Sequence, residues 1–224
     1  MAATATPPNA TQAITYEDLY RRWEQANWSA MEIDFTEDAR QWREELMEFE
    51  RTAAVWTYAL FFWGEDAVAD GLSAYIEAAP REEQTYFLTT QQVDEARHSV
   101  FFNRFMHEVC GIGDGTVGSG LATIEPQLTW GFRQVFGRLE RMTHQLHRDP
   151  SLPRLCGAIA LYHLVIEASL AQPGQEFITG YLEERDLLPG FREGMARVAH
   201  DEHRHIAFGV KLLSEHAGDE ACRR

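Results

Sequence analysis

Cysteine is scarce. The 224-residue chain has three, Cys110, Cys156 and Cys222, an odd number with no CxxC pair, which argues against a disulfide framework or a cysteine zinc site and fits a reducing cytoplasm. Basic residues are also short, 20 Lys and Arg against 35 Asp and Glu, so the formal net charge is -15. Such a balance speaks against nucleic-acid binding and against simple electrostatic attachment to anionic lipid. The opening MAATATPPNATQA has neither a basic start nor an apolar stretch, so residues 1–15 are expected to be a disordered leader and not a signal peptide. No run approaches the ~18 apolar residues of a membrane span. Strand-like alternation is missing, and no Ser-His-Asp arrangement or phosphate loop is evident. The segment Gly113 to Gly118 fits GxGxxG, but the fingerprint needs a preceding strand and FFNRFMHEVC reads as helix, so a dinucleotide site is excluded.

What is present is helix. With 45% hydrophobic and 25% charged residues, one globular domain with a substantial core is expected over residues 16–216, followed by a short tail at 217–224. Apolar residues recur at helical spacing over residues 37–79, with breaks expected near Gly64 and Gly71. Pro80 suits the first position of a second helix reaching Cys110. The glycine-rich residues 111–120 read as a flexible loop, and a connecting helix is expected over 121–147. DPSLP restarts the chain for a helix over 153–184, and DLLPG turns it into a last helix over 191–216. The class is all-α.

One pentapeptide pattern occurs twice, DEARH at residues 94–98 and DEHRH at 201–205. Residues three apart share a helix face, so Glu95 with His98 and Glu202 with His205 can each grip one ion. A single Glu-x-x-His arises by chance, and a solvated ion pair explains one copy; two matching copies demand a shared cause. Two apolar helices each carry one misplaced acid, Glu65 in YALFFWGEDAVADGL and Glu167 in AIALYHLVIEASLAQ. A buried carboxylate costs several kcal/mol unless it is paired or binds metal. One Glu from each of two helices and Glu-x-x-His from each of the other two is the ligand set of a dinuclear carboxylate site in a four-helix bundle. Glu65 and Glu95 are 30 residues apart and Glu167 and Glu202 are 35 apart, each one antiparallel hairpin, with Glu95 and Glu167 72 apart for a long crossover. That is the connectivity of a ferritin-like four-helix bundle with extra connecting helices. Four glutamates balance two divalent ions, so metal removal is expected to lower stability.

The remaining letters of the pentapeptide also acquire roles. A metal-bound imidazole usually donates its second N–H to a carboxylate. Asp201 is expected to hold His98 and Asp94 to hold His205, with Arg97 and Arg204 pairing those aspartates.

Together with NWSAMEIDFTED, which carries Trp28, these residues resemble the ribonucleotide reductase small subunit and its relatives over residues 16–215. The similarity is strongest to the ligand-binding oxidases of that superfamily. It implies a manganese/iron or di-iron centre, O2 activation, a long-chain, fatty-acid-like ligand, and a homodimer. It also implies a crosslink between a valine three residues after the first Glu and a tyrosine five residues before the third, positions held here by Val68 and Tyr162. The expected function is two-electron oxidation of a bound hydrophobic ligand or of the Val68 and Tyr162 pair, with an unknown electron donor. Two alternatives stay open: a radical-generating reductase subunit and a non-catalytic ferritin-like iron binder. Phe102 stands where a radical-bearing subunit usually has tyrosine. The chain ends about nineteen residues after His205, short of the tail that the resemblance implies for docking a large reductase subunit.

Other residues have plainer readings. His163, four residues before Glu167, is either a seventh ligand or a satisfied core histidine. Pro173 frees a carbonyl and is expected to kink its helix. His200 and His203 take no chemistry. Phe61, Phe62, Trp63, Phe101, Phe102 and Phe105 form core that would also dry a metal site.

Overall fold

Thr15 launches the first helix with a reciprocal cap: its hydroxyl accepts from the Asp18 amide at 3.0 Å while its own amide donates to the Asp18 carboxylate at 3.2 Å. The computed structural model describes residues 14–223, so all but the end of the expected leader lies outside the described residues. Helix α1 (Tyr16–Gln25) leads through a short turn to α2 (Thr36–Glu44), and four long helices follow with two short ones between them. They are α3 (Glu48–Ala78), α4 (Glu82–Glu108), α5 (Val117–Ile124), α6 (Trp130–Arg148), α7 (Leu152–Glu184) and α8 (Pro189–His216). No strand occurs among the described residues.

Helices α3 and α4 run antiparallel: Gln92 donates to the Ala69 carbonyl at 3.0 Å while His98 meets Glu65 at 3.2 Å, so residue numbers rise in one helix as they fall in the other. Helices α7 and α8 form the second antiparallel hairpin, with Glu167 beside His205 and His163 beside Gly209. Between the hairpins, α5 and α6 make the long crossover. Two apolar clusters, one around Phe62, Phe101, Phe105 and Phe191 and the other around Leu72, Phe87, Leu155 and Phe208, make up the interior.

The structure differs from the sequence reading in several places. Residues 37–79 divide between α2 and α3. Gly64 and Gly71 do not break α3; a Cβ at Gly64 would stand 3.2 Å from the Phe136 ring and one at Gly71 3.4 Å from the Thr143 hydroxyl, so both glycines let α6 approach closely. Within 111–120, Gly111, Gly113 and Gly115 take positive φ as a loop requires, but α5 begins already at Val117. Pro126 lies in the turn that separates α5 from α6, so the expected single connecting helix is two.

Helix α7 changes pitch. Residues Ala160–Ala171 form π-helical turns, closed by the Gln172 amide bonding to the Glu167 carbonyl, before α-helix resumes at Gln172. The irregularity expected at Pro173 therefore sits upstream of it, and the proline lies where α-helical turns resume. Against expectation, α7 is by length and composition apolar enough to cross a membrane. Its Leu155, Ile159, Tyr162, Ile166 and Glu167 are buried in this fold, as in the core helix of a bundle.

Candidate metal centre

The four bundle helices each bring an acid to one level. Glu65 comes from α3, Glu95 and His98 from α4, Glu167 from α7, and Glu202 and His205 from α8; all six are buried. They fall into two overlapping groups. Glu65, Glu95, His98 and Glu202 place one ligand atom each within 4.8 Å of one another, and so do Glu95, Glu167, Glu202 and His205. Glu95 and Glu202 belong to both groups, the relation that bridging carboxylates have in a two-ion site.

Both imidazoles point the same nitrogen inward. His98 Nδ1 lies 3.2 Å from Glu65, 3.4 Å from Glu95 and 3.7 Å from Glu202. His205 Nδ1 lies 3.1 Å from Glu95, 3.6 Å from Glu167 and 3.8 Å from Glu202, yet makes no well-aligned hydrogen bond, and one oxygen each of Glu167 and Glu202 is also left without a partner. Buried polar atoms are rarely orphaned. Donors that converge on a common centre instead of on each other suit cations, and two imidazole nitrogens with four carboxylates suit first-row transition metals.

Electrostatics agree with that fit. Burial, only partly opposed by His98, pushes Glu65 up to about 7, and burial opposed by His205 does the same to Glu167. Burial and then the charges of Glu167 and Glu95 push Glu202 well above the carboxylate range. At Glu95 burial also acts upward but is outweighed by His205 and His98, which hold that carboxyl well below its usual value. Burial disfavours charge on His98 and His205, but the surrounding acids outweigh it and hold both well above the ordinary histidine range. Imidazolium charge on His98 and His205 would balance the acids, and a metal entering among them would displace protons.

Outside these six side chains, the two hairpins brace each other. His98 Nε2 lies 3.2 Å from Asp201 and His205 Nε2 lies 3.1 Å from Asp94. Arg97 and Arg204 each ion-pair with Asp94 and reach Asp201 at 3.3 and 3.5 Å. Two tryptophans complete the arrangement: Trp23 Nε1 donates to Asp94 at 2.9 Å and Trp28 Nε1 to Asp201 at 2.8 Å. The role of Trp23 escaped the sequence reading; its separation of 71 residues from Asp94 left no local signal.

Gln91 was also missed, although it lies one turn before Glu95. Its amide nitrogen donates to Tyr162 Oη at 3.0 Å and Glu167 at 3.1 Å, and its oxygen is 3.1 Å from His163 Nε2. His163 thus meets Gln91 and stands outside both ligand groups, which removes it as a seventh ligand. Burial, with the His205 charge, lowers it to about 3, so it is neutral. Tyr162 Oη donates to Glu95 at 2.6 Å, and burial followed by the charges of Glu95 and Glu167 keeps the phenol protonated. His200 and His203 are exposed, and Phe102 is buried against Phe61, Phe101 and Phe191.

An apolar cavity of about 520 Å³ reaches this centre. Glu65, Glu95, Glu167 and Glu202 stand at its inner end with Val68 and Tyr162, and exposed Thr129, Gly131 and Leu170 at its outer end.

Residues 9–113 match the family model "Ribonucleotide reductase, small chain". Several solved structures are similar over most of this chain. A tyrosine-to-phenylalanine variant of an R2-like ligand-binding oxidase with an aerobically reconstituted Mn/Fe cofactor superposes at TM-score 0.82 with 25% identity, over 93% of this chain and 75% of that one. A glycine-to-phenylalanine variant with an anaerobically reconstituted Mn/Fe cofactor gives 0.82 and 25%, over 93% and 77%. An R2-like ligand-binding oxidase with aerobically reconstituted Mn/Fe cofactor gives 0.80 and 26%, over 91% and 69%. Over residues 9–113 the chain is thus similar to the ribonucleotide reductase small chain, and its ferritin-like fold, with buried carboxylates and histidines that could hold two metals, is similar to that of the R2-like ligand-binding oxidases.

Proposed function

We propose that the chain is an O2-activating dinuclear oxidase, holding Mn/Fe or Fe/Fe on Glu65, Glu95, His98, Glu167, Glu202 and His205. Its reaction is a two-electron oxidation of a hydrophobic, fatty-acid-like ligand or of its own Val68 and Tyr162. One observation carries this reading: the buried carboxylates close the inner end of an apolar cavity large enough for an organic molecule. The Mn/Fe cofactors of the similar oxidases support the choice of ions.

When bound, the ions supply the redox equivalents for reducing O2. The chain's own residues do the rest. Asp94 and Asp201 fix the imidazoles so that Nδ1 faces the centre, and the phenylalanines around Phe101 exclude water. Tyr162 Oη is already hydrogen-bonded to Glu95, which positions that carboxylate to take the phenol proton. Val68, one turn beyond Glu65, lines the same cavity. Joining the Tyr162 oxygen to a Val68 carbon removes two hydrogens and two electrons. Full reduction of O2 to two waters then needs two further electrons, from the ions or an external donor, and two protons from solvent.

The test is aerobic loading with manganese and iron, reading ions per chain, O2 consumed and the masses of the peptides holding Val68 and Tyr162. Two ions per chain with O2 uptake are expected, and a joined peptide pair lighter by two hydrogens where the chain itself is oxidised. At most one tightly held ion defeats the proposal. A small oligomer, a homodimer by resemblance, separates this reading from an iron-storage cage.

A second reading, a radical-generating subunit of ribonucleotide reductase, is favoured by one feature. Trp28, Asp201 and His98 form a hydrogen-bonded line from the centre to a half-buried indole. Co-purification with a large partner and stimulation of its nucleotide reduction would select this reading over the oxidase.

A further inference from the structure

Charge in this chain is unevenly spread. The protein is acidic overall, yet α6 carries Arg133, Arg138, Arg141 and Arg148 with His144 and His147 against one acid, Glu140. At 100° per residue, Phe132, Val135, Phe136, Leu139, Met142 and Leu146 share the face turned to the cavity and core. Trp130, Arg141 and Arg148 fall on the opposite face and Arg138 on its flank, all exposed, with Trp130 78% accessible. Arg133 is engaged by Glu125 and His147 by Glu77, whereas Arg138, Arg141 and Arg148 have no ion pair among the described residues. Among the large apolar side chains of the described residues only Phe177, at 79%, is as exposed as Trp130. Trp130 lies between Thr129 and Gly131, which line the outer end of the cavity, and Leu170, 54% exposed, faces the same opening.

We propose that the outward face of α6 docks on an anionic phospholipid bilayer and sets the cavity mouth against it. A basic amphipathic helix with an exposed indole has the chemistry of an interfacial helix. The three free guanidiniums match lipid phosphates, and Trp130 suits the headgroup layer. The otherwise acidic surface turns the remaining faces away from an anionic membrane, so net charge orients the protein and does not forbid contact. Such docking would let an apolar molecule pass from bilayer to cavity without crossing water. The attachment itself depends only on α6, and stands or falls apart from the oxidase reading.

Co-sedimentation of the metal-loaded protein with phosphatidylglycerol and with phosphatidylcholine vesicles tests it. Binding to the anionic vesicles is expected, falling with added salt. Each arginine near such a surface contributes about fivefold to partition, so the combined Arg138→Gln, Arg141→Gln and Arg148→Gln variant should bind about a hundredfold more weakly. Its ion content and melting temperature should match the unaltered protein. Trp130→Ser should weaken attachment to the same vesicles with its salt dependence intact. Equal binding to both vesicle types, or an undiminished triple variant, overturns the proposal. So does a triple variant that changes only oligomeric state or affinity for a soluble polyanion.

Discussion

Replacing Asp94 by asparagine removes one buried charge and leaves the shape. Asp94 is fully buried and accepts from Trp23, Arg97, Arg204 and His205 Nε2. An asparagine has one accepting oxygen where the carboxylate has two, so part of this set loses its acceptor. Removing one partner of a buried ion pair costs roughly 3–5 kcal/mol. Because Asp201 remains 3.3 and 3.5 Å from the two arginines, the lower end applies, about 3 kcal/mol. For a chain of this size that is a fall of roughly 6–12 °C in the melting temperature of the metal-free protein. A second loss appears only with metal. Weakening the support of a ligating histidine costs about 10- to 100-fold in affinity, roughly 1.4–2.8 kcal/mol. Melting curves of the metal-free and metal-loaded forms, with ions per chain measured against a chelator series, separate the two effects. In Asp94→Asn the increment that metal adds to the melting temperature should shrink beyond the metal-free loss. An increment and ion retention equal to those of the unaltered protein would refute the assignment of Asp94 as the brace of His205.

Gln91→Leu strands the His163 N–H and takes a donor from Tyr162 and Glu167, and should cost about 1–3 kcal/mol; an unchanged urea midpoint would show that Gln91 organises nothing. His163 titrates near 3 when folded and about 6.5 when unfolded. Below about pH 6.5 the unfolded chain therefore gains a proton that the folded one lacks, and stability present at neutral pH is lost toward acid by up to ~1.4 kcal/mol per unit. His163→Gln should flatten the slope of unfolding free energy between pH 6.5 and 5, and an identical slope would contradict the neutral assignment. Gly194→Ala puts a methyl inside the space of the Phe101 ring and should cost about 1–3 kcal/mol or more by overpacking. Phe101→Leu in the same chain should restore part of the lost melting temperature, and its failure to do so would place the strain elsewhere.

The bundle and the grouping of six side chains were legible because helical period and metal chemistry both leave local marks. Glu65 and Glu167 are acids in apolar runs, and Glu95 with His98 repeats as Glu202 with His205. What stayed hidden depended on distance along the chain or on the approach of another helix. Gly64 and Gly71 look like interruptions until α6 is seen lying against them. Trp23 and Gln91 have ordinary neighbours and gain meaning only from partners some 70 residues away. The π-helical turns around Glu167 likewise have no residue signature; Pro173 hinted at an irregularity but marked where it ends.

The crossed support of the histidines has a consequence for how such a chain can change over time. Each hairpin keeps its own imidazole upright only by borrowing a carboxylate from the other. Neither hairpin holds its imidazole alone, and a lesion in one is felt at the histidine of its neighbour. A change at residues 94–98 therefore bears on 201–205 as well, and the reverse.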